Sequence, residues 1–358
     1  MNAKEKREKL AAIDKKLVAL INQRSQMVAR GTVRGKAQTG GYNPVEEEKA
    51  LRRIDLVNDG PLDNRALRNV YREIISAGRE LAGPLRIAYL GPEATFTHAA
   101  AREKFGAGTE YIPSESIPGV FRDVETGAVD FGVVPIENSL EGAVTHTLDM
   151  LLDSPLLVSA EIFLRVSHCL LSNNPLPEIE RVYSHPQVFG QCRSFIQKTI
   201  PGVELIEVAS TARAAELAAG EEKAGALAGE LAADIYGLKI RRRKMEDSAG
   251  NITRFLVIGK ISSPPSGRDR TSLLFSLPHR SGSLHDALNV FKNREINLTR
   301  IESRPSKKKP WEYNFFVDLE GHQRTRKIKA ALEELESQAK FLKILGSYPV
   351  GEQGSGDR

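Results

Sequence analysis

The sequence predicts a multidomain protein with an all-α helical segment, a central α/β unit and a C-terminal α+β unit of the ferredoxin-like type. Three observations carry this prediction. Apolar residues recur at three- and four-residue steps near the start of the chain, as they do on one face of a helix. Short apolar runs then alternate with alanine-rich stretches that are predicted to be helical, among them 227–236, and this alternation is the α/β pattern. From Thr271 onwards the predicted elements follow the order βαββαβ.

Two changes in composition divide the 358 residues into three units. Gly83-Pro84 ends the helical texture, and the run from Ser262 to Gly267 is rich in Ser, Pro and Gly, as linkers are. We therefore expect three domains, over residues 1–83, 84–262 and 268–350.

The sequence pattern of the first unit predicts helical hairpins. Residues 4–30 have the spacing of one long amphipathic helix, a second helix starts after Asn43-Pro44 with acids in its first turn, and a third runs from Asn64 to Leu81. This pattern shows no small compact core of its own. A three-helix segment with so long a first helix usually completes itself by dimerising, so we expect a homodimer or a higher homo-oligomer.

The net charge of +5 is concentrated at the N-terminal end. Residues 1–83 hold 17 Lys and Arg against 11 Asp and Glu, a balance of +6, which leaves −1 for the remainder. Such a segment can bind nucleic acid or a small polyanion, or it can be a solvated helix surface. No nucleic-acid recognition motif is present, and we expect no nucleic-acid partner.

The same composition argues against membrane insertion and secretion. No apolar run approaches the roughly 20 residues of a membrane span. The N-terminus, MNAKEKREKL, is charged and lacks an apolar signal region. Cys169 and Cys192 are too few for a disulfide framework. We therefore expect a cytoplasmic protein with no membrane partner.

Polar clusters follow or precede the predicted strands of the central unit. Each alone could be a satisfied loop or, for a threonine, a helix cap. Five in one α/β domain indicate a ligand crevice, because such folds bind ligands at the carboxyl ends of their strands. The clusters are Thr95 with Thr97, Glu137-Asn138-Ser139, Ser184-His185 with Gln191, Ser210-Thr211, and Asn251, Thr253 and Arg254 before the apolar run 255–258.

Several catalytic motifs are absent from the sequence. There is no GxGxxG, no phosphate-binding GxxxxGK[ST] loop, no HExxH, no Cys/His metal spacing and no GxSxG. The available groups are hydroxyls, amides and one arginine. They suit an anionic substrate and a reaction that needs positioning, an acid and charge stabilisation. We expect no metal and no cofactor.

Five motifs in order resemble the prephenate dehydratase family: GPEATFTHAA, PIENSLEG, SHPQVFGQC, STARAA and EDSAGNITRF. The resemblance covers about residues 86–261. It implies a bilobal α/β fold like that of periplasmic binding proteins, with the site between the lobes. It also implies the reaction, in which prephenate loses its ring carboxylate and hydroxyl and becomes phenylpyruvate.

The resemblance assigns residues to roles. Thr253 is the implied donor to the departing hydroxyl, and Glu137 is either an auxiliary acid or a residue that orients another. Arg254 can bind a substrate carboxylate or form a structural salt bridge to Glu246 or Asp247. The further substrate-binding residues implied are Thr95, Asn138, Ser139, Ser184, His185, Gln191, Ser210, Thr211 and Phe255.

The segment REKLAAIDKKLVALINQR resembles the first helix of all-helical chorismate mutases, with Arg7 and Arg24 at two substrate-binding positions. A buried arginine is costly unless paired, so Arg24 binds a dicarboxylate or a neighbouring acid. The family has a lysine near the Gly-rich loop, and Arg34 or Lys36 can take that role. Glu47 stands where the family has its glutamate. The departures from the family pattern are Asn43, Glu46, Gly78 and Ala82. Because of them we expect a weak or silent mutase domain kept for dimerisation, with chorismate as a candidate second substrate beside prephenate.

The C-terminal segments HRSGSLHDALNVF and NLTRIESRP resemble the phenylalanine-binding ACT domain of the same enzymes. Without the dehydratase beside it, a plain ferredoxin-like module would explain the pattern equally well. The resemblance implies feedback by phenylalanine, bound between two chains. The effector residues implied are Gly282, Ser283, Leu284, Glu302, Ser303, Arg304 and Pro305.

Two other classes of protein fit parts of the sequence. A bilobal solute-binding or sensor protein for small anions would use the same crevice without catalysis, and it would have no need of the Thr253 hydroxyl. A nucleic-acid binder would use the basic helices, and its binding to duplex would depend strongly on salt.

Overall fold

The computed structural model describes residues 2–31, 42–81, 83–248, 250–306 and 312–351. Its helices are α1 (Ala3–Gly31), α2 (Pro44–Val57), α3 (Asn64–Glu80), α4 (Phe96–Phe105), α5 (Ile117–Thr126), α6 (Thr145–Asp153), α7 (Pro186–Gln191), α8 (Arg193–Thr199), α9 (Thr211–Ala219), α10 (Glu230–Tyr236), α11 (Ser283–Lys292) and α12 (Arg326–Gln338). Its strands are β1 (Leu85–Leu90), β2 (Thr109–Ser114), β3 (Phe131–Asn138), β4 (Gly142–Ala143), β5 (Leu157–Arg165), β6 (Cys169–Leu171), β7 (Arg181–Ser184), β8 (Glu204–Glu207), β9 (Ala224–Ala228), β10 (Ile240–Arg242), β11 (Ile252–Gly259), β12 (Asp269–Ser276), β13 (Leu298–Pro305), β14 (Tyr313–Glu320) and β15 (Phe341–Pro349).

The three predicted N-terminal helices are present, and their ends have local causes. The Asn43 side chain accepts from the backbone of Val45 and Glu46 at the start of α2, and the Asp63 side chain accepts from Ala66 N at the start of α3. The α2–α3 hairpin packs on the central unit, where the Tyr42 ring lies 5.0 Å from that of Phe105. The segment therefore takes much of its core from its neighbour, as the absence of a separate core in the pattern suggested.

Much of α1 stays exposed. Its apolar residues Leu10, Ile13, Leu17 and Leu20 are each at least half exposed. The end of the helix does pack on α3, where Ser25 is buried and lies beside Gly78. A helix that exposes an apolar stripe leaves a surface free for another chain.

The central unit consists of two lobes, which confirms the bilobal α/β fold. The first lobe is built on a sheet of order β2-β1-β3-β11-β5, with β4 beside β3. The second lobe is built on a sheet of order β10-β6-β9-β7-β8. The alanine-rich stretch 227–236, predicted as one helix, instead holds the end of β9, a turn at Gly229 and α10. Small residues fit β9 because it is buried along its whole length.

The chain crosses between the lobes twice, and the two crossing segments lie side by side. Val166 N donates to Asn251 O at 2.8 Å, and Met245 N donates to His168 O at 2.9 Å. The Glu246 carboxylate accepts from Ser167 Oγ and from His168 N, each at 2.9 Å. These bonds make a hinge at the point where the polar residues before β11 are placed.

The C-terminal unit has the predicted βαββαβ order, with a sheet of order β13-β14-β12-β15. It packs against the first lobe through a shared core that includes Leu256 of β11, Phe316 of β14 and Leu345 of β15. β15 comes so close to β5 that a Cβ built on Gly346 would lie 2.3 Å from Val158 O. Only glycine allows this approach.

Within the described ranges, no helix is both long and apolar enough to cross a bilayer. Over the same ranges, no group of three His, Cys, Asp or Glu side chains is placed to hold a metal ion.

Candidate active site

Thr253 and Asn138 meet where the ladder of β3 and β11 reaches the hinge. Asn138 Nδ2 donates to Thr253 Oγ1 at 2.8 Å and to Asn251 Oδ1 at 2.7 Å. Thr253 and Asn251 are 9% and 5% exposed, so the three side chains form a nearly buried polar group. The hinge explains why polar residues precede the apolar part of β11: they lie at the mouth of the cleft between the lobes.

The orientation of the Asn138 amide is fixed by its other contacts. Asn138 Oδ1 accepts from Leu140 N at 2.9 Å and from Glu141 N at 3.2 Å. The nitrogen must therefore face Thr253, and it uses both of its hydrogens. Because the Thr253 oxygen accepts from Asn138, its own hydrogen is free to be donated to a ligand.

The faces of the β3–β11 ladder divide the predicted site residues into two pairs. In the register of the two strands, Thr253 is opposite Asn138, and Arg254 is opposite Glu137. Successive residues of a strand point to opposite faces. Asn138 and Thr253 therefore share the cleft face, whereas Glu137 and Arg254 share the face that the C-terminal unit covers.

Arg254 lies in a buried ionic cluster away from the cleft. Its Nε donates to Glu161 Oε2 at 2.8 Å, Nη1 to Asp318 Oδ2 at 2.5 Å and Nη2 to Tyr348 Oη at 3.0 Å. With each nitrogen used, the structure does not support the predicted contact with substrate. It shows the alternative, a structural ion pair, with Glu161 and Asp318 in place of the expected Glu246 or Asp247.

The charges of this cluster are mutually stabilised. Arg270 also pairs with Glu161, and Ser272 Oγ donates to Asp318. Burial alone would raise the pKa of Asp318, but the Arg254 guanidinium and the Ser272 hydroxyl hold it below its usual range. Removing one member would leave a buried charge without its partner.

Glu137 contacts the C-terminal unit as well. Its Oε2 lies 3.1 Å from Arg300 Nε of β13. A carboxylate held by an arginine on the covered face is poorly placed to act as an acid in the cleft. The second predicted role, in which Glu137 orients another residue, remains a prediction.

The second lobe contributes a histidine and a glutamine to the hinge. Gln191 Oε1 lies 3.1 Å from His168 Nε2, and Gln191 Nε2 is directed to Glu141 of the first lobe. Gln187 also donates to Glu141 across the cleft. His168 therefore carries a hydrogen on Nε2, and burial lowers its pKa, which favours the neutral ring.

Several predicted substrate ligands act as caps at the carboxyl ends of strands. Thr95 Oγ1 accepts from His98 N at the start of α4, His185 Nδ1 from Gln187 N at α7, and Ser210 Oγ from Arg213 N at α9. These three residues and Thr211 are half-buried, whereas Ser139 is exposed and accepts from Ile252 N. The arrangement places three helix N-termini along the edges of the two sheets.

Two predicted ligands are buried away from the cleft. Ser184 is fully buried, and its hydroxyl donates to Leu227 O at 2.8 Å, which holds β7 to β9. Phe255 is 1% exposed and belongs to the core of the first lobe with Tyr89 and Phe131. Neither side chain has surface left for a ligand, so these two predictions are not supported.

The sequence interpretation missed His168 as a site residue and used Asn251 only as a clue. The signal for His168 was a lone histidine inside the apolar segment VSHCLL. Its Nδ1 is buried, and it makes no hydrogen bond with the described part of the chain. Only the fold shows that this segment crosses between the lobes.

The mutase-like residues are partly assembled. Arg24 lies beside Gly78, with Nη1 4.0 Å from the position of a Cβ there. Glu47 is bound by Arg79, the residue after Gly78, with 2.5 Å between Arg79 Nη1 and Glu47 Oε1. Arg7, Asn43 and Glu46 are exposed or half-exposed. Arg34, Lys36 and Ala82 lie outside the described residues.

Burial has the largest effect on the electrostatics of Glu47. Burial raises the pKa of Glu47, and the nearby Arg79 and Lys104 lower it by less. Arg79 Nη2 also donates to Phe105 O at the end of α4. The retained acid of the mutase pattern is thus part of the contact that holds the hairpin to the central unit.

The effector residues of the C-terminal unit lie at α11 and at an edge strand. Gly282 caps α11 with φ +83°, and the buried Ser283 hydroxyl makes no hydrogen bond with any described residue. Leu284 is 36% exposed. Among the described strands, β13 pairs with β14 alone, so its other edge is open to the described part of the chain. It carries the remaining effector residues, which are Glu302, Ser303, Arg304 and Pro305.

Fold and cleft together define a multidomain protein with a helical N-terminal domain, a bilobal α/β domain and a ferredoxin-like C-terminal domain. Family models for "Chorismate mutase type II", "Prephenate dehydratase" and "ACT domain" match residues 6–82, 87–263 and 271–337. A bifunctional chorismate mutase/prephenate dehydratase of Aquifex aeolicus is 47% identical over 352 residues, covering 97% of each chain. The chain belongs to the bifunctional chorismate mutase/prephenate dehydratase family.

Two solved structures share the fold of the second and third domains. The prephenate dehydratase of Arthrobacter aurescens, solved in complex with L-Phe, is 30% identical with a TM-score of 0.68 and covers 74% of this chain and 90% of that one. GqqA, described as a novel type of quorum quenching acylase, is 31% identical with a TM-score of 0.69, covering 74% and 98%. Because such likeness spans different activities, the substrate has to be argued from the site.

Proposed function

We propose that the central domain converts prephenate to phenylpyruvate, with release of CO2 and water. One observation carries this proposal: Thr253 accepts from Asn138 and therefore has a hydroxyl hydrogen to give inside the cleft. The bond to the ring carboxylate breaks, its electron pair completes the aromatic ring, and the C–O bond of the hydroxyl breaks. The leaving hydroxide takes one proton and departs as water.

Thr253 assists the slow part of this reaction, which is the departure of hydroxide. A threonine hydroxyl is a weak acid, so it acts as a hydrogen-bond donor or passes on a proton from solvent. Asn138 holds the oxygen in place, and Asn251 holds Asn138. No cofactor enters this scheme, since aromatisation supplies the driving force.

The anionic groups of the substrate require positive potential in the cleft. The N-termini of α4, α7 and α9 follow β1, β7 and β8, and free backbone N–H groups at such ends attract carboxylates. The Gln191 amide and the His168 ring can donate or accept hydrogen bonds near the hinge. Closure of the lobes over the substrate would exclude water and strengthen these contacts.

Two alternative functions assign a different role to Thr253. A solute-binding protein would hold the same anion without turning it over. An acylase would need Thr253 to give its proton to a base, whereas the neighbour bonded to Thr253 is an amide, Asn138. Incubation of the purified full-length protein with prephenate separates the dehydratase from both alternatives. We expect phenylpyruvate and CO2 in equal amounts, and intact prephenate would refute the proposal.

We further propose that the N-terminal domain is a weak or silent chorismate mutase. Glu47, the retained acid, is bound to Arg79, and Glu46 brings a negative charge where the family has an arginine. Each missing contact to a dianion costs about 1–3 kcal/mol in a dry site. Turnover of chorismate at a rate equal to that of prephenate would contradict this proposal.

The helical domain then serves assembly, and we propose a homodimer. The stripe of Leu10, Ile13, Leu17 and Leu20 on α1 is exposed in the single chain and would be covered by the same helix of a second chain. The open edge of β13 offers a second contact of the same symmetry.

Phenylalanine is the proposed effector of the C-terminal domain. The unpaired Ser283 hydroxyl, Gly282 and the β13 edge give polar groups for the amino-acid ends, and Leu284 gives an apolar contact for the ring. The L-Phe complex of the Arthrobacter relative supports this assignment. We also propose the cytoplasm as the location of the chain, where Cys169 and Cys192, which are buried and not bonded to each other, would remain thiols.

A further inference from the structure

Four charged residues form a closed quartet between the cleft strands and the effector strand. Arg254 and Glu137 are cross-strand neighbours on β11 and β3. Arg300 and Asp318 are cross-strand neighbours on β13 and β14. Between the two sheets, Arg254 Nη1 lies 2.5 Å from Asp318 Oδ2, and Arg300 Nε lies 3.1 Å from Glu137 Oε2.

Positive and negative charges alternate around the four residues of the quartet. Each sheet contributes one arginine and one carboxylate, and each arginine is paired across the interface with the carboxylate of the other sheet. The arginine side chains are 8% and 10% exposed. Such an arrangement fixes the relative position of two sheets, because a shift of one residue would place like charges together.

The cleft end of the quartet is one residue from the catalytic pair. Glu137 precedes Asn138 and Arg254 follows Thr253 on the same two strands, a distance of about 3.3 Å along each strand. A displacement of the Arg254–Glu137 pair therefore moves the Thr253–Asn138 bond with it.

The effector end of the quartet lies beside the residues that are predicted to bind phenylalanine. Along β13 the side chains alternate, so Arg300, Glu302 and Arg304 share the less exposed face. Arg300 pairs with Glu137, and Arg304 lies 3.9 Å from Asp149 on α6. Glu302 is thus flanked on both sides by arginines that hold β13 to the first lobe.

We propose that Arg300 is a positioning residue through which the effector strand β13 controls the Thr253–Asn138 pair, by way of Glu137. The inference rests on the proposed dehydratase function and deepens it by naming the contact that carries the regulation. A ligand bound at Glu302 changes the activity to the extent that it favours one arrangement of β13 on the first lobe. In this proposal the paired quartet is the docked one of the two arrangements that a two-state element requires.

The test removes one charge of the quartet without touching the cleft. Arg300→Gln keeps a polar side chain on β13 but loses the pair with Glu137. Arg294→Gln is the matched control, because Arg294 pairs with Glu334 inside the C-terminal domain at 2.5 Å and lies outside the interface. Calorimetric binding of phenylalanine, the inhibition curve with prephenate and the thermal midpoint are measured for each protein.

For Arg300→Gln we expect the phenylalanine concentration for half-inhibition to rise about 10-fold, a typical size for the coupling between two sites. The Kd for phenylalanine changes by much less, and Arg294→Gln behaves as the parent. Glu137→Gln has the same effect, and the double variant Glu137→Gln/Arg300→Gln is no worse than either single variant, because both remove one contact. Equal inhibition of Arg300→Gln and the parent would overturn the proposal.

Hydrogen exchange separates this inference from the function on which it rests. Addition of phenylalanine is expected to change exchange at the β11 amides near Thr253 in the parent and not in Arg300→Gln. A parent that leaves prephenate unchanged would refute the proposed function, while the exchange difference would still support the coupling. An identical exchange response in both proteins would contradict the coupling whatever the substrate is.

Discussion

Asn138 Nδ2 donates a 2.8 Å hydrogen bond to Thr253 Oγ1, and this bond determines where the threonine can send its own hydrogen. The amide cannot be reversed, because its oxygen already accepts from Leu140 N and Glu141 N. The donor in the cleft is therefore a consequence of the turn that follows β3.

Asn138→Asp tests this relationship with a side chain of the same shape. A carboxylate can only accept, so Thr253 would turn its hydrogen towards residue 138 and away from the substrate. We expect kcat with prephenate to fall about 100-fold, the usual contribution of a positioned proton donor. Asn173→Asp, at an exposed position, is the control. Parent-like turnover by Asn138→Asp would show that the direction of this bond is irrelevant.

The Arg79–Glu47 pair makes a stability prediction for the docking of the helical hairpin. Arg79→Leu leaves Glu47 buried without its partner and should lower the free energy of unfolding by about 3 kcal/mol. The double variant Arg79→Leu/Glu47→Leu replaces the pair by apolar groups and should recover most of this loss. Urea denaturation measures both. If the double variant is as unstable as the sum of the two single variants, the pair is not the cause.

His98 makes a prediction about pH. Its ring stacks on Tyr89 with centroids 4.4 Å apart, and burial lowers its pKa to about 4. In the unfolded chain the group titrates near pH 6.5, so the unfolded state binds the proton first as the pH falls. The stability that the neutral ring contributes is therefore lost between about pH 6.5 and pH 4.

His98→Phe keeps a ring on Tyr89 and cannot be protonated. We expect its free energy of unfolding to fall less between pH 7 and pH 5 than that of the parent, by about 1 kcal/mol. Urea midpoints at the two pH values give the comparison. An equal fall in the two proteins would mean that His98 is protonated alike in both states.

The exposed stripe of α1 makes a prediction about assembly. Leu17→Glu puts a charge at the centre of the proposed contact, so sedimentation equilibrium should show monomers where the parent is a dimer. Lys15→Glu also adds a negative charge, but on the opposite side of the helix, and should leave the dimer intact. A dimeric Leu17→Glu would place the contact between chains elsewhere.

The local elements could be predicted because their signals are local. The spacing of apolar residues gave the long α1, and the order of elements from Thr271 gave the ferredoxin-like unit. The prediction of one helix over 227–236 was wrong. Alanine favours helices in isolation, whereas Ala224–Ala228 forms a strand that is buried at every position.

The site was predictable only in part, because the faces of β3 and β11 depend on their pairing. The motifs singled out Thr253 and Asn138 for the cleft, and the structure places the two side chains in contact. They could not show that Arg254, one residue away, points to the C-terminal domain and binds Asp318. Nor could they show that Ser184 is needed inside the second lobe, where its hydroxyl satisfies a backbone carbonyl.

The most direct test of the account is the rate of prephenate turnover by Thr253→Ala beside Thr253→Ser. Serine keeps the hydroxyl that accepts from Asn138, so we expect it to retain much of the activity. Alanine should lower kcat at least about 100-fold with a smaller change in KM, and Thr126→Ala, on the exposed surface of α5, should have no effect. Product formation by Thr253→Ala at the rate of the parent would contradict the central claim.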